Sequence, residues 1–436
     1  MLKSWVPLSS VEAKLGFSHM KKIFCLILLS CAVAAAQNVA VRAGHLINPA
    51  DGSVSQNQTI LVEGGKITAI GANVPIPAGT QTVDLSNEWV MPGLVDAHTH
   101  ITMNLPPAAA GESYWENYLL RESTAFRTTR GLHNAELLLN AGFTAIRDVG
   151  NAGDYADTAV REALEKGWFA GPTLINSGKI IGPFGGQSHS YSPEQGRFWA
   201  YEYIDADNPA EIRKAVRQNI YYGAKVIKLV ADNSSFHYSE EDIHAAVDEA
   251  HRAGLAVAVH VTSDQAARDV INGGADSVEH GYYLTPEVLK LMKAKGTYLV
   301  GTDFPLEHML AFGSIADMNA QKTADSIIQR LSNAEKIGVK MAFGSDVVAE
   351  LPGENRANMI FDFLRVWKKA GVPNTDILKD WTLNGFDLLR ISDQRGPIAV
   401  GKAADMIAIP GNPLDNIELL RKVNFVMKDG RVIRRP

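Results

Sequence analysis

Four histidines, a lysine and an aspartate sit where they could share a chemical task. His98-Thr99-His100 closes the run Met91-Pro92-Gly93-Leu94-Val95-Asp96-Ala97. On an extended chain, residues two apart share a face, so both imidazoles can reach one cation. His260 ends Ala256-Val257-Ala258-Val259, and His280 follows Ser277-Val278-Glu279. Each alone reads as a core histidine, but recurrence at the ends of successive apolar runs argues for a shared ion. Asp346, in Phe343-Gly344-Ser345-Asp346, adds a carboxylate whose alternative use is a helix N-cap. Lys228 lies inside Val226-Ile227-Lys228-Leu229-Val230, where a bare ammonium is costly to desolvate. Kept neutral by burial, such an amine can add CO2 to become a carbamate whose two oxygens bridge two metals. The plainer alternative is a lysine that snorkels to the strand end or pairs with a buried acid. His133, His237, His244, His251 and His308 have no register with the ends of such runs and read as helix or loop residues.

A scaffold must bring these positions together. Apolar runs at 94–97, 144–147, 173–176, 226–230, 256–259, 277–279, 298–300 and 340–343 alternate with helical spacing at 117–140, 154–166, 208–222, 239–253, 263–273, 285–295, 319–337 and 375–390. That alternation predicts an α/β fold, a (β/α)8 TIM barrel over 93–396. A doubly wound open sheet is the fallback, but no Gly-rich phosphate loop follows the first strand. Short β-prone runs separated by Gly, Asn and Pro fill 37–92 and recur over 397–436, which predicts one small β-sandwich domain built from both ends of the chain.

The 436 residues include 42 Lys+Arg against 48 Asp+Glu and are 46% hydrophobic. A formal charge of −6 without a long basic run removes the footprint of nucleic-acid binding. Lys21 and Lys22, the apolar stretch from Ile23 to Leu29 and the small residues from Ala32 to Ala36 follow the order of a secretory signal. The apolar part is too short for an integral membrane span. Residues 1–36 therefore read as leader and signal peptide, with Met1 or Met20 as the start and export to the periplasm or medium expected. Cys25 and Cys31, the two cysteines of the chain, both fall there, so cleavage after Ala36 leaves no thiol. Leu28-Leu29-Ser30-Cys31 offers a second route, a lipoprotein acylated at Cys31.

Taken together the motifs resemble the amidohydrolase superfamily of metal-dependent hydrolases over nearly all of residues 39–433. The stretch from Pro92 to His100 is similar to its first-strand signature, Glu279-His280-Gly281 to its sixth and Gly344-Ser345-Asp346 to its eighth. The segment from Gly401 to Met406 is similar to the re-entry into the N-terminal sandwich. The resemblance is closest to the imidazolonepropionase-like and Xaa-Pro dipeptidase-like branch with a carboxylated bridging lysine. It implies two divalent cations, one held by His98, His100 and Asp346, the other by His260 and His280, linked by the carbamate of Lys228. Zinc is the default for a donor set without thiolate, with manganese, cobalt or iron as alternatives. The implied reaction is amide hydrolysis by a metal-bridging hydroxide, Asp346 taking and returning the proton. A glycine- and aromatic-rich segment from Gly182 to Tyr203 looks like a lid, where His189 would orient the carbonyl or stabilise the oxyanion. Tyr238 would hold a substrate carboxylate, an ordinary surface tyrosine being the alternative. Expected substrates are small amides: an N-acyl amino acid, a dipeptide such as Xaa-Pro or an aryl amide. A cyclic-amide hydrolase is the alternative enzyme. A deaminase fits less well, since deaminases usually work with one metal and lack the bridging lysine. An inactive barrel kept as a scaffold is disfavoured because every ligand position is filled. Members of the superfamily often assemble, so a homo-oligomer is expected, though no residue identifies an interface.

Overall fold

The computed structural model describes residues 38–105, 121–188, 192–232, 236–312 and 319–436. The expected leader and signal peptide, residues 1–36, and His189 lie outside the described residues. Strands β1 (Val39–Asn48), β2 (Ser53–Glu63), β3 (Lys66–Gly71) and β4 (Gln81–Pro92) join β14 (Met406–Ile409), β15 (Phe425–Lys428) and β16 (Arg431–Arg434) in one seven-stranded sheet of order β16-β15-β14-β4-β1-β2-β3. β1 runs parallel to β4 and β14 antiparallel to it, so the two ends of the chain are zipped side by side. The sheet curls until its far edge meets the C-terminal segment: Ile67 N–H donates to Lys402 O at 2.9 Å and Ala404 N–H to Gly65 O at 2.9 Å. Val41, Ile60, Val62, Val83, Phe425 and Met427 fill the interior of this roll. The expected sandwich is thus one sheet folded over itself.

A single residue, Gly93, separates β4 from β5 (Leu94–Thr99), the first strand of the barrel. A Cβ on Gly93 would lie 2.1 Å from Thr144 Oγ1, so only glycine lets the two strands pass this closely. The parallel strands β6 (Phe143–Asp148), β7 (Thr173–Asn176), β10 (Val226–Val230), β11 (Ala256–Val261), β12 (Ser277–His280) and β13 (Tyr298–Val300) continue around. Residues 340–343 supply the eighth position, with Leu299 N–H on Lys340 O at 2.9 Å and Ala97 N–H on Phe343 O at 2.8 Å closing the cylinder.

Three local expectations are revised. The third strand is longer than predicted but broken: Gly178, at a positive φ, turns the chain after β7, and a second piece, β8 (Ile180–Gly182), takes over pairing to β10. β8 also gains a partner, β9 (Tyr203–Asp205), that the sequence pattern did not suggest. The expected helix at 375–390 is split into Asn374–Asp380 and Leu383–Leu388. Carbonyls at the split turn to the barrel: Trp381 O accepts Val95 N–H at 2.8 Å and Asp380 O accepts Phe343 N–H at 3.0 Å. The eighth strand, spending hydrogen bonds on that segment, forms only an isolated bridge at Met341. Among the described residues, no helix is long and apolar enough to cross a membrane.

Alternation along the strands sets the site. Ile227, Leu229, Val257, Val259, Val278 and Leu299 belong to the core shared with the helices. Val226, Ala256 and Ala258 belong to a separate cluster inside the cylinder. Lys228, two residues from Val226, therefore shares its inward face.

Candidate metal centre

The six predicted ligand residues come from four strands, with His100 just past the first of them and Asp346 in the loop after the eighth, and they converge at the C-terminal mouth. Ring centroids lie 5.3 Å apart for His98 and His100, 4.9 Å for His98 and His280, and 4.4 Å for His260 and His280. Asp346 Oδ1 stands 3.1 Å from His100 Nε2 and 3.7 Å from His98 Nε2, while Oδ2 stands 3.7 Å from His280 Nδ1. One donor atom each from His98, His280 and Asp346 lie within 4.8 Å of one another. His260 and Asp346 are the partly exposed members and face the mouth.

Local backbone builds this convergence at some cost. His280, Thr302 and Asp346, at the ends of the sixth, seventh and eighth strands, all hold positive φ of 66°, 44° and 54°. Non-glycine residues in this region are strained, and such strain concentrates at functional sites. Asp346 is pinned by its own N–H on His98 O at 2.7 Å. Asp96 Oδ1 accepts the N–H groups of His98 and Ser345 at 3.1 and 2.9 Å, tying the first ligand strand to the last. Burial pushes the Asp96 carboxyl up to about 7.

The imidazoles are set up as ligands. A carboxylate or carbonyl oxygen can only accept, so Nδ1 is the protonated nitrogen in His98, 2.7 Å from Glu279 Oε2, and in His100, 2.9 Å from Gly150 O. Their Nε2 lone pairs are left for an ion, the usual arrangement around metal-bound histidine. His280 Nδ1 meets Thr302 Oγ1 at 2.8 Å. Burial, followed by the Lys228 charge, holds His98 well below its ordinary range and His260 at about 3. His280 is also held well below, first by burial and then by His260. Only His100 is raised: burial opposes protonation there, and the Asp346 carboxylate overcomes it. Lys228 is buried, its Nζ has no hydrogen-bond partner, and burial lowers it to about 8. His98 Nε2 is likewise buried without a hydrogen-bond partner. Orphaned buried polar atoms are rare and ask for an unseen partner. Three imidazoles held neutral by burial, a fourth beside the Asp346 carboxylate, and a desolvated amine form the oxygen and nitrogen set that a divalent cation takes, so the residues fit a metal centre.

The remaining predicted residues fare differently. Tyr238 is a correction: it is 1% exposed, and its hydroxyl donates to Ala206 O at 2.6 Å, so the ring packs in the core and offers no substrate contact. His189 lies outside the described residues, but the segment before it places Gln187 Nε2 3.5 Å from His260 Nε2, with Tyr203 OH donating to Gln187 Oε1 at 2.9 Å. His308, read as a helix or loop residue, is buried against Asp362 at 3.0 Å. Glu279, Asp96, Thr302 and Gln187 were not singled out from the sequence. Glu279 had a detectable signal, an acid inside an apolar run, of the same kind that marked Lys228.

The sequence model of the amidohydrolase family matches residues 89–433. Ochratoxinase of Aspergillus niger is 29% identical across 91% of this chain and 86% of its own length. Imidazolonepropionase of Thermoplasma acidophilum is 22% identical across 86% of this chain and 88% of its own. Among solved structures, a Xaa-Pro dipeptidase with methionine bound in its active site superimposes with a TM-score of 0.80 at 27% identity, covering 91% of this chain and all of that one. The A. niger ochratoxinase structure gives 0.77 at 26%, covering 92% and 96%.

Proposed function

The chain belongs to the amidohydrolase family as a hydrolase of carbon–nitrogen bonds, and on that premise we propose a binuclear enzyme that cleaves small amides, among them N-acyl amino acids, dipeptides such as Xaa-Pro, and aryl amides. The observation that carries this reading is the buried, unpartnered Lys228 amine inside a ring of histidines and one carboxylate. His98, His100 and Asp346 would hold one cation and His260 and His280 the other, with Lys228 as a carbamate between them. When bound, such a pair, zinc by its donor set, would acidify a water and polarise the amide carbonyl.

The side chains of the protein do the rest. Asp346, partly exposed beside three imidazoles, accepts the proton of the attacking water. It then delivers that proton to the leaving nitrogen, so the C–N bond breaks to give a carboxylic acid and an amine. Gln187, close to His260, orients the substrate carbonyl, a role the sequence also suggests for His189. Export through the N-terminal signal is part of the same proposal; the mature N-terminus, Gln37 or Cys31, distinguishes a free from an acylated protein.

The test is a mass-spectrometric screen of N-acyl amino acids, dipeptides and aryl amides beside a Lys228→Ala variant, with metal content measured on both. Wild type should carry near two equivalents of metal, and the variant should lose at least one equivalent and most of its turnover. Full turnover without Lys228 removes the carbamate from the proposal.

A further inference from the structure

Beneath the ligand cluster, inside the barrel, lies a buried ion pair to which the mechanism assigns no step. Arg147, Ser277, Glu279 and His98 are all fully buried and come from β6, β12 and β5. Arg147 donates through Nη2 to Glu279 Oε1 at 2.7 Å, through Nη1 to Ser277 Oγ at 3.1 Å and through Nε to Ala97 O at 2.5 Å. Ser277 Oγ also contacts Glu279 Oε1. The other oxygen, Oε2, accepts His98 Nδ1–H at 2.7 Å. Desolvating a carboxylate and a guanidinium together is expensive, and aliphatic packing would fill the same space without that cost. The small neighbours Ala97, Ala145 and Ala258 leave room for it.

We infer that Arg147 and Glu279 are positioning residues of the metal centre: the guanidinium locks the carboxylate, and the carboxylate holds His98 in the Nδ1–H form with its unpartnered Nε2 turned to the ligand cluster. The inference rests on the metal-centre reading above. It makes a specific claim about Glu279→Gln, because glutamine has one acceptor where glutamate has two. With its carbonyl toward His98, its NH2 faces the donors of Arg147. Turned over, its NH2 faces His98 Nδ1 and drives the imidazole proton onto Nε2, the ligand atom.

The experiment measures zinc affinity by chelator competition, and the ligand-field spectrum after cobalt substitution, for wild type, Glu279→Gln, Arg147→Met and the double variant. Glu279→Gln should weaken metal binding about 10- to 100-fold and shift the cobalt bands. Adding Arg147→Met should restore much of that loss, since the glutamine carbonyl can then serve His98 without opposing donors; a merely structural pair predicts further loss. Should the single variant fail to fold, long-range 1H–15N spectra of histidine-labelled, metal-free wild type decide: His98 protonated on Nδ1 supports the inference, and protonation on Nε2 overturns it. Equal zinc affinity in wild type and Glu279→Gln overturns the inference and leaves the metal centre standing. Wild type that takes up no metal overturns the metal centre itself.

Discussion

Lys228 and Glu279 present the same pattern, one charge in a run of apolar residues, and both prove to be fully enclosed at the centre of the molecule. That pattern is legible because desolvation makes an unexplained internal charge improbable. What each charge faces depends on strands far apart in sequence, so Glu279 could not be assigned to His98 before the barrel was assembled. Tyr238 shows the opposite limit. A tyrosine after a strand end suits a substrate pocket or a core equally, and the choice fell to a carbonyl, Ala206 O, supplied by another segment. Tyr238→Phe should therefore leave kcat/KM for carboxylate-bearing substrates unchanged while costing about 1 kcal/mol of stability, read by urea titration beside steady-state kinetics. Asp346→Asn removes the group that accepts and returns the proton. Turnover should fall on the order of 100-fold or more with the fold intact by circular dichroism; retention of wild-type turnover would take Asp346 out of the reaction.

Regular elements were the readable part of the architecture, since all eight barrel positions declare themselves by apolar runs alternating with helical spacing. Departures from regularity share a cause, backbone groups claimed by a distant partner. Trp381 O serves Val95 rather than its own helix, and the eighth position divides its bonding between β13 and the C-terminal segment. Close approach of strands is equally invisible in a sequence and equally testable. Gly93→Ala brings a methyl against Thr144 and should destabilise by about 3 kcal/mol in thermal or urea unfolding. On the outer layer, Glu249 of the helix Glu240–Arg252 accepts from Arg217 of the helix Pro209–Tyr221 at 2.6 Å and from Arg252 at 2.8 Å. The Arg217 bond, ahead of Arg252, lowers the Glu249 carboxyl from an ordinary 4.5 to about 2. A depressed carboxyl stabilises the folded state above its unfolded value and loses that contribution as pH falls. Glu249→Gln should accordingly cost up to about 1 kcal/mol at neutral pH, a gap that closes between pH 4.5 and about 2. A pH-independent difference would assign the cost to packing instead.

For the molecule as a whole, β14 lies against β4, and β4 passes through one glycine into the strand that carries His98 and leads directly into His100. The sheet built from both termini is therefore the abutment of the first two ligands. During translation every ligand from His98 to Asp346 leaves the ribosome before β14, β15 and β16 exist, so β4 at first has β1 alone beside it. A message truncated after the Asp346 codon but before Met406 would encode the full ligand set and still leave the β14 side of β4 bare, so the strand that leads into the ligands would be held on one side alone.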